Sequence, residues 1–252
     1  MKRAVLYACH GSRLVKAREE AIAFIKRCQE HVEADIQEIS FLELASPSIE
    51  EGFRSCVDRG ATHLTIVPLL LLTAVHAKKD IPDEIQRCKG LYPHIKVKYG
   101  RPIGVHDRMV ESVINKIEEA APLHSSTTAI LIGRGSSDPD VKRDLGAIAE
   151  LVLRKKTAIS EVRTCYLTAA SPSFTETLES VRYSDKNVIF IPYLLFTGLL
   201  MKGIEKEIQG TNNEHIILGN YLGYDPLVEE AFLDRVNESL WATGETYAAC
   251  HD

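Results

Sequence analysis

Apolar residues in this chain alternate between short continuous runs and stretches of helical period. Residues 4–9 form an unbroken run that ends in the polar turn His10-Gly-Ser-Arg13, as expected of a parallel strand buried on both faces. A helical pattern follows from about 15 to 32, and residues 36–42 read as the next strand. Ser46-Pro47 fits an N-cap followed by proline at the first helical position, which opens a helix to about Arg59. Gly60 closes that helix, and residues 62–67 are a third strand. Asp80-Ile-Pro-Asp-Glu84 opens a helix that ends near Gly90. A fourth strand over 95–99, a turn over Gly100-Arg-Pro-Ile-Gly104 and a helix over 106–120 complete the first half. Strands alternating with helices predict a parallel sheet with helices on both faces.

The polar stretch 122–127 lacks periodicity and reads as a linker, after which the pattern repeats. Ala129-Ile-Leu-Ile-Gly-Arg-Gly-Ser-Ser137 parallels Ala4-Val-Leu-Tyr-Ala-Cys-His-Gly-Ser12 with a one-residue gap. Cys165-Tyr-Leu-Thr-Ala-Ala-Ser-Pro-Ser173 parallels Ser40-Phe-Leu-Glu-Leu-Ala-Ser-Pro-Ser48, and Gly219-Asn-Tyr-Leu-Gly223 parallels Gly100 to Gly104. The expected fold is therefore α/β, built as two homologous domains over 1–121 and 128–243. Each carries a four-stranded, mainly parallel sheet flanked by helices, and a loose tail over 244–252 follows.

The longest apolar loop is Val67-Pro-Leu-Leu-Leu-Leu-Thr-Ala-Val-His-Ala-Lys-Lys-Asp-Ile-Pro-Asp83. Connecting segments usually need solvent for their backbone groups, so an apolar one covers something greasy. It recurs as Ile191-Pro-Tyr-Leu-Leu-Phe-Thr-Gly-Leu-Leu-Met-Lys202, with Leu200 in the place of His76. Two uses fit these loops: packing of one half on the other, or covering a large flat apolar ligand.

Ligands of open parallel sheets gather outside the carboxyl ends of the strands. His10 follows the first strand, Glu43 the second and His76 the third, spaced 33 residues apart in each case. Two imidazoles and a carboxylate on one sheet edge suit iron, cobalt or zinc better than magnesium. In the second half Arg134 and Thr168 stand in the places of His10 and Glu43, so that half offers a cation where the first offers metal donors. Gly133-Arg-Gly-Ser-Ser-Asp-Pro-Asp140 could bind an anion through its amides or be a plain turn of small residues. Neither GxGxxG nor GxxxxGK[ST] is present to mark a nucleotide. The remaining histidines read as structural.

Bulk composition narrows the function class. The 252 residues are 45% hydrophobic and 26% charged, a globular balance. A net charge of −5 argues against a general nucleic-acid binder. No run reaches the length of a membrane-spanning helix and no secretory signal is evident, so a cytoplasmic protein is expected. The six cysteines form no CxxC pair, so neither a disulfide framework nor a cysteine-held cluster is indicated.

His10-Gly-Ser-Arg13, Ser40-Phe-Leu-Glu-Leu44, the stretch 67–82 and Leu131-Ile-Gly-Arg-Gly-Ser-Ser-Asp-Pro-Asp-Val-Lys-Arg143 together resemble the sirohydrochlorin ferrochelatases. These are class II chelatases, related to the anaerobic sirohydrochlorin cobaltochelatases. The resemblance spans roughly 4–236. It implies two chelatase-like halves facing a cleft and insertion of ferrous iron into sirohydrochlorin, with cobalt insertion or a non-catalytic tetrapyrrole carrier as alternatives. It implies that His10 and His76 hold the metal, with Glu43 as their acidic partner, either ligand or proton acceptor. Substrate contacts are expected at Ser12, Arg13, Arg134, Gly135 and Ser136. No tightly bound cofactor is expected, the Fe2+ or Co2+ ion being a substrate, and the working form is expected to be a monomer with internal pseudo-two-fold symmetry. Only Cys250-His-Asp252 stands where some cobalt-inserting relatives carry a cysteine- or histidine-rich extension, which favours iron.

Overall fold

A computed structural model of the chain describes residues 1–241; the expected tail over 244–252 lies outside them. Strands β1 (Arg3–Cys9), β2 (Ile36–Phe41), β3 (His63–Leu69) and β4 (Lys96–Tyr99) form one parallel sheet in the order β2-β1-β3-β4. Strands β5 (Thr127–Gly133), β6 (Ile159–Tyr166), β7 (Val188–Pro192) and β8 (Ile216–Leu218) form a second in the matching order β6-β5-β7-β8. Helices α1 (Val15–Gln29), α2 (Ile49–Asp58), α3 (Ile81–Leu91) and α4 (Asp107–Ala120) alternate with the first set of strands. Helices α5 (Pro139–Lys155), α6 (Phe174–Val181), α7 (Leu199–Gln209) and α8 (Pro226–Trp241) follow the second. Every residue of the run 4–9 is buried, as a central parallel strand requires.

The first sheet's core gathers Leu6, Ala8, Ile49, Phe53, Ile66, Ile81 and Ile85. Ile130, Ile132, Phe174, Leu178, Phe190 and Ile204 form its counterpart in the second. The two repeats share fine detail as well. Leu42 N donates to Cys9 O and Glu43 N to His10 O; Leu167 N donates to Gly133 O and Thr168 N to Arg134 O. Ser46-Pro47 and Ser171-Pro172 are both cis peptides.

Two expectations are corrected. The cap of α2 is Ser48, not Ser46. Ser48 Oγ accepts from Glu51 N while Glu51 Oε2 accepts from Ser48 N, a reciprocal capping box that satisfies two donors of the first turn. Ser173 and Glu176 repeat it at α6. Secondly, α3 does not begin at Asp80 from a loop: the five residues His76–Asp80 already form a π-helical turn continuous with it.

The expected domains over 1–121 and 128–243 follow the repeat, and packing groups the elements in another way. The compact units are Met1–Gly104 with the chain from Glu229, and Val105–Val228. The closing helix of each repeat thus belongs to the unit of the other repeat's sheet. In the first unit, Phe232 of α8 lies 6.1 Å from the ring of Tyr7 and 5.7 Å from that of Phe24. Arg235 Nε donates to Ile103 O at 2.8 Å. In the second unit, Ser112 Oγ of α4 donates to Asp225 Oδ2 at 2.6 Å. Two matched glycines leave the room: a Cβ on Gly100 would fall 2.4 Å from Ser239 Oγ of α8, and one on Gly219 would lie 3.3 Å from Ala120 Cβ of α4. Among the described residues no helix is long and apolar enough to cross a membrane.

Candidate metal centre

Three strands of the first sheet end side by side, and a candidate donor follows each. The order β2-β1-β3-β4 places β1 between β2 and β3, so the connections leaving β1 and β3 diverge at the sheet's carboxyl edge. His10 is the residue after β1, Glu43 lies two residues beyond β2, and His76 comes after the loop that leaves β3. Ligand atoms of the three lie within 4.8 Å of one another. His10 Nδ1 sits 3.5 Å from Glu43 Oε1. The two imidazoles meet edge to face, with ring centroids 4.6 Å apart and an interplanar angle of 83°. All three side chains keep some exposure, 21% for His10, 46% for Glu43 and 33% for His76, so an ion reaches them from solvent.

Adjacent tetrahedral ligands of a first-row ion at ~2.1 Å bonds stand about 3.4 Å apart. A pair at the 4.8 Å limit therefore closes by about 1.4 Å to hold one. A set of three donors, loosely spaced and half exposed, suits an ion that is taken up and passed on.

Local backbone makes this geometry. Gly11 has φ +96°, and a Cβ there would fall 1.7 Å from the carbonyl oxygen of Glu43. Only glycine allows the turn after β1 to lie directly against the turn after β2, where Glu43 N donates to His10 O at 3.1 Å. Leu44 then takes φ +61°. His10 Nδ1 faces the Gly11 carbonyl at 3.3 Å. His76 Nδ1 meets Asp80 Oδ2 at 2.7 Å. Ala77 is buried beneath the π-helical turn, and its carbonyl accepts from Tyr99 Oη at 3.1 Å. The apolar loop is held from below, as Ile103 N and Gly104 N donate to Leu70 O and Leu71 O.

Cys9, next to His10, is buried, and burial pushes its thiol up to about 12. Cys165, in the second half, is likewise raised to about 12 by burial. The five cysteines among the described residues are all buried and free.

The substrate-contact residues expected from sequence fall into two matched turns. Ser12 Oγ accepts from Leu14 N at 3.1 Å, and Ser136 Oγ accepts from Asp138 N at 3.1 Å. Each hydroxyl thus shapes its own turn and retains a proton to donate. Arg13 and Arg134 are exposed. Gly135 has φ +90° and a Cβ there would lie 1.8 Å from Thr168 O, the same close approach as at Gly11. These residues lie in two different compact units, Ser12 and Arg13 in one and Arg134, Gly135 and Ser136 in the other.

Sequence reasoning missed Asp80 and Tyr99. Asp80 carried a legible signal, because His76 and Asp80 stand four apart in a segment that could only be helical or lead into a helix. Tyr99 carried none, since its hydroxyl reaches the turn across 22 residues of chain.

Comparison with known proteins agrees with this duplicated architecture. The sirohydrochlorin ferrochelatase of Bacillus subtilis is 48% identical over 242 residues, covering 95% of this chain and 92% of that protein. The structure of SirB from Bacillus subtilis with Fe3+ superposes with a TM-score of 0.88 at 47% identity, covering 95% of this chain and 96% of the other. The sirohydrochlorin chelatase SirB of Bacillus subtilis subspecies spizizenii in complex with cobalt gives a TM-score of 0.85, also at 47% identity and covering 95% of each chain. The family model described as CbiX matches twice, over residues 4–120 and again over 128–239, one match for each repeat read from the sequence. The chain belongs to the CbiX family.

Proposed function

We propose that this protein is a chelatase of the lyase class that inserts ferrous iron into sirohydrochlorin, giving siroheme and releasing two protons. The observation that carries the reading is the His10–Glu43–His76 group, whose ligand atoms lie within 4.8 Å of one another at the carboxyl edge of a parallel sheet. Likeness to the ferrochelatase of Bacillus subtilis along nearly the whole chain supports the substrate and the metal.

Metallation brings a partly dehydrated cation to four ring nitrogens and removes two pyrrole N–H protons. His10 and His76 take the ion through imidazole nitrogens, which are neutral ligands that leave its charge intact for transfer. Glu43 stands 3.5 Å from His10 Nδ1, where a carboxylate draws the cation in and accepts a proton from the ring. The exposed apolar side chains Leu44 and Val75 adjoin Glu43 and His76 in the chain and offer an apolar surface to a flat macrocycle. Arg134, in the turn that carries Gly135 and Ser136, is assigned to a substrate carboxylate, with Arg13 and Ser12 in the same role beside His10. No tightly bound cofactor enters this scheme. The finer expectations belong to it too: a single chain with internal pseudo-two-fold symmetry as the working unit, and the cytoplasm as its location. Matching strand orders in the two sheets support the first.

The cobalt complex of a 47%-identical chelatase favours a second metal for the same site, and imidazole and carboxylate donors accept either ion. The test is anaerobic steady-state turnover of sirohydrochlorin by the purified protein with Fe2+ or Co2+, alongside His10→Ala and His76→Ala. Turnover should exceed the uncatalysed rate, with Fe2+ the better ion, and each variant should lose about 10²-fold or more. Stoichiometric binding without turnover would make the protein a carrier instead. A variant that keeps wild-type turnover at limiting metal would remove its histidine from the mechanism.

A further inference from the structure

Asp80 makes the closest polar contact at the metal centre, with its Oδ2 2.7 Å from His76 Nδ1. An ionised carboxylate has only lone pairs to offer, so the imidazole is the donor, and a neutral ring whose proton is on Nδ1 has its remaining lone pair on Nε2. Asp80 stands at the N-terminal boundary of α3, where an acidic side chain ordinarily accepts from a free backbone N–H. Here its backbone is helical, with φ −64° and ψ −47°, and it makes no capping hydrogen bond. Capping α3 therefore does not explain the residue.

The π-helical turn shows how the pair is built. Its Ile81 N donates to His76 O, five residues back. Buried positions on either side, Ala77 and Ile81, stand four apart, whereas their counterparts Met201 and Ile204 in α7 stand three apart. The first repeat has accommodated one additional residue between them, and such insertions are what π turns absorb. Between those anchors the first repeat has Lys78-Lys79-Asp80 and the second only Lys202-Gly203. The repeat that has an imidazole has an acid beneath it, and the repeat with Leu200 has neither. Tyr99 pins the widened turn to β4 through Ala77 O.

We propose that Asp80 is a positioning residue for metal capture: by accepting the Nδ1 proton of His76 it fixes the ring's rotation and tautomer, so that Nε2 is presented to the ion. This rests on His76 being a metal donor. Carboxylates in this position typically change metal affinity by about 10–100-fold when removed.

The test uses the full-length protein without metal, with 15N-labelled histidine, and Co2+ as the probe ion. Long-range 1H–15N correlation should show His76 as the Nδ1–H tautomer, its signal assigned by loss in His76→Ala. Asp80→Ala should move it toward Nε2–H, while Asp80→Asn, which keeps an acceptor oxygen, should largely retain it. Co2+ titration followed by visible absorption should then show about 10–100-fold weaker binding for Asp80→Ala and a smaller loss for Asp80→Asn. An unchanged tautomer in Asp80→Ala overturns the proposal. So does unchanged Co2+ affinity in Asp80→Ala when His76→Ala loses it, because Asp80 then serves only the fold. Unchanged affinity in His76→Ala would instead remove the histidine from the metal site, and the proposal would fall with that reading.

Discussion

Replacing Gly11 by alanine separates the cost of this turn to the fold from its cost to the metal centre. The added Cβ would stand 1.7 Å from Glu43 O, so reaching even 3.0 Å demands a backbone shift of 1.3 Å. The residue must also hold φ +96°, and the Glu43 N to His10 O hydrogen bond at 3.1 Å is stretched or lost. Left-handed strain, overpacking and one lost hydrogen bond together cost about 3–5 kcal/mol. A shift of that size exceeds the roughly 0.5 Å within which a functional group must be held. It displaces Glu43 relative to His10, and turnover should fall about 10²-fold.

The repeat supplies an internal control. Gly135→Ala meets the same obstacle, 1.8 Å from Thr168 O at φ +90°, but in the other compact unit. Chemical denaturation should therefore show similar losses of stability for the two variants. Co2+ titration at low temperature, where both remain folded, should show weakened binding for Gly11→Ala alone. Wild-type Co2+ affinity and turnover in a folded Gly11→Ala protein would refute the claim that this glycine sets the centre. Equal weakening in Gly135→Ala would refute the assignment of the metal to the first repeat.

Three further outcomes are expected. Glu43→Gln keeps size and hydrogen bonding but removes the base, so kcat should drop about 10²-fold with little change in KM; an unchanged rate across the pH range would return Glu43 to structure. Arg134→Ala should raise KM for sirohydrochlorin about tenfold or more with a smaller effect on kcat, and Arg134→Lys should recover only part; titration of the substrate-free protein should still find a single metal site. Hydrogen bonds from the Ser173 backbone and hydroxyl hold the Glu176 carboxyl below its ordinary value. Its stabilisation is therefore present above the ordinary carboxylate range and lost as pH falls through the lowered value. The melting-temperature gap between the wild type and Glu176→Gln should be present at neutral pH and close in acid.

What was legible in the sequence follows from how locally each feature is determined. His10, Glu43 and His76 could be assigned to one edge because each follows its own strand, and parallel pairing leaves those ends no other place. Ser46 and Ser48 both offer a cap to α2, and Pro47 fits a first helical position after the former. The acid three residues on decides it, since Glu51 closes a reciprocal pair with Ser48 only. The π-helical turn leaves the apolar residues in place and shows only as a spacing of four against three in the other repeat.

Helices α4 and α8 belong to a different class of question. A repeat reports that two helices share an origin, whereas the sheet on which each packs depends on which surface has room for it. The room is made at a distance: by Gly100 beneath Ser239, by Gly219 beside Ala120, and by the gap between Tyr7 and Phe24 that Phe232 fills. Each of those partners is remote in sequence, and an apolar helix face suits either sheet. Local hydrogen bonds such as Glu43 N to His10 O and Thr168 N to Arg134 O were copied with the repeat and keep each strand-end turn the same. The helix assignment differs from the repeat order, whereas the strand-end turns keep it, and these turns place His10 and Glu43 side by side.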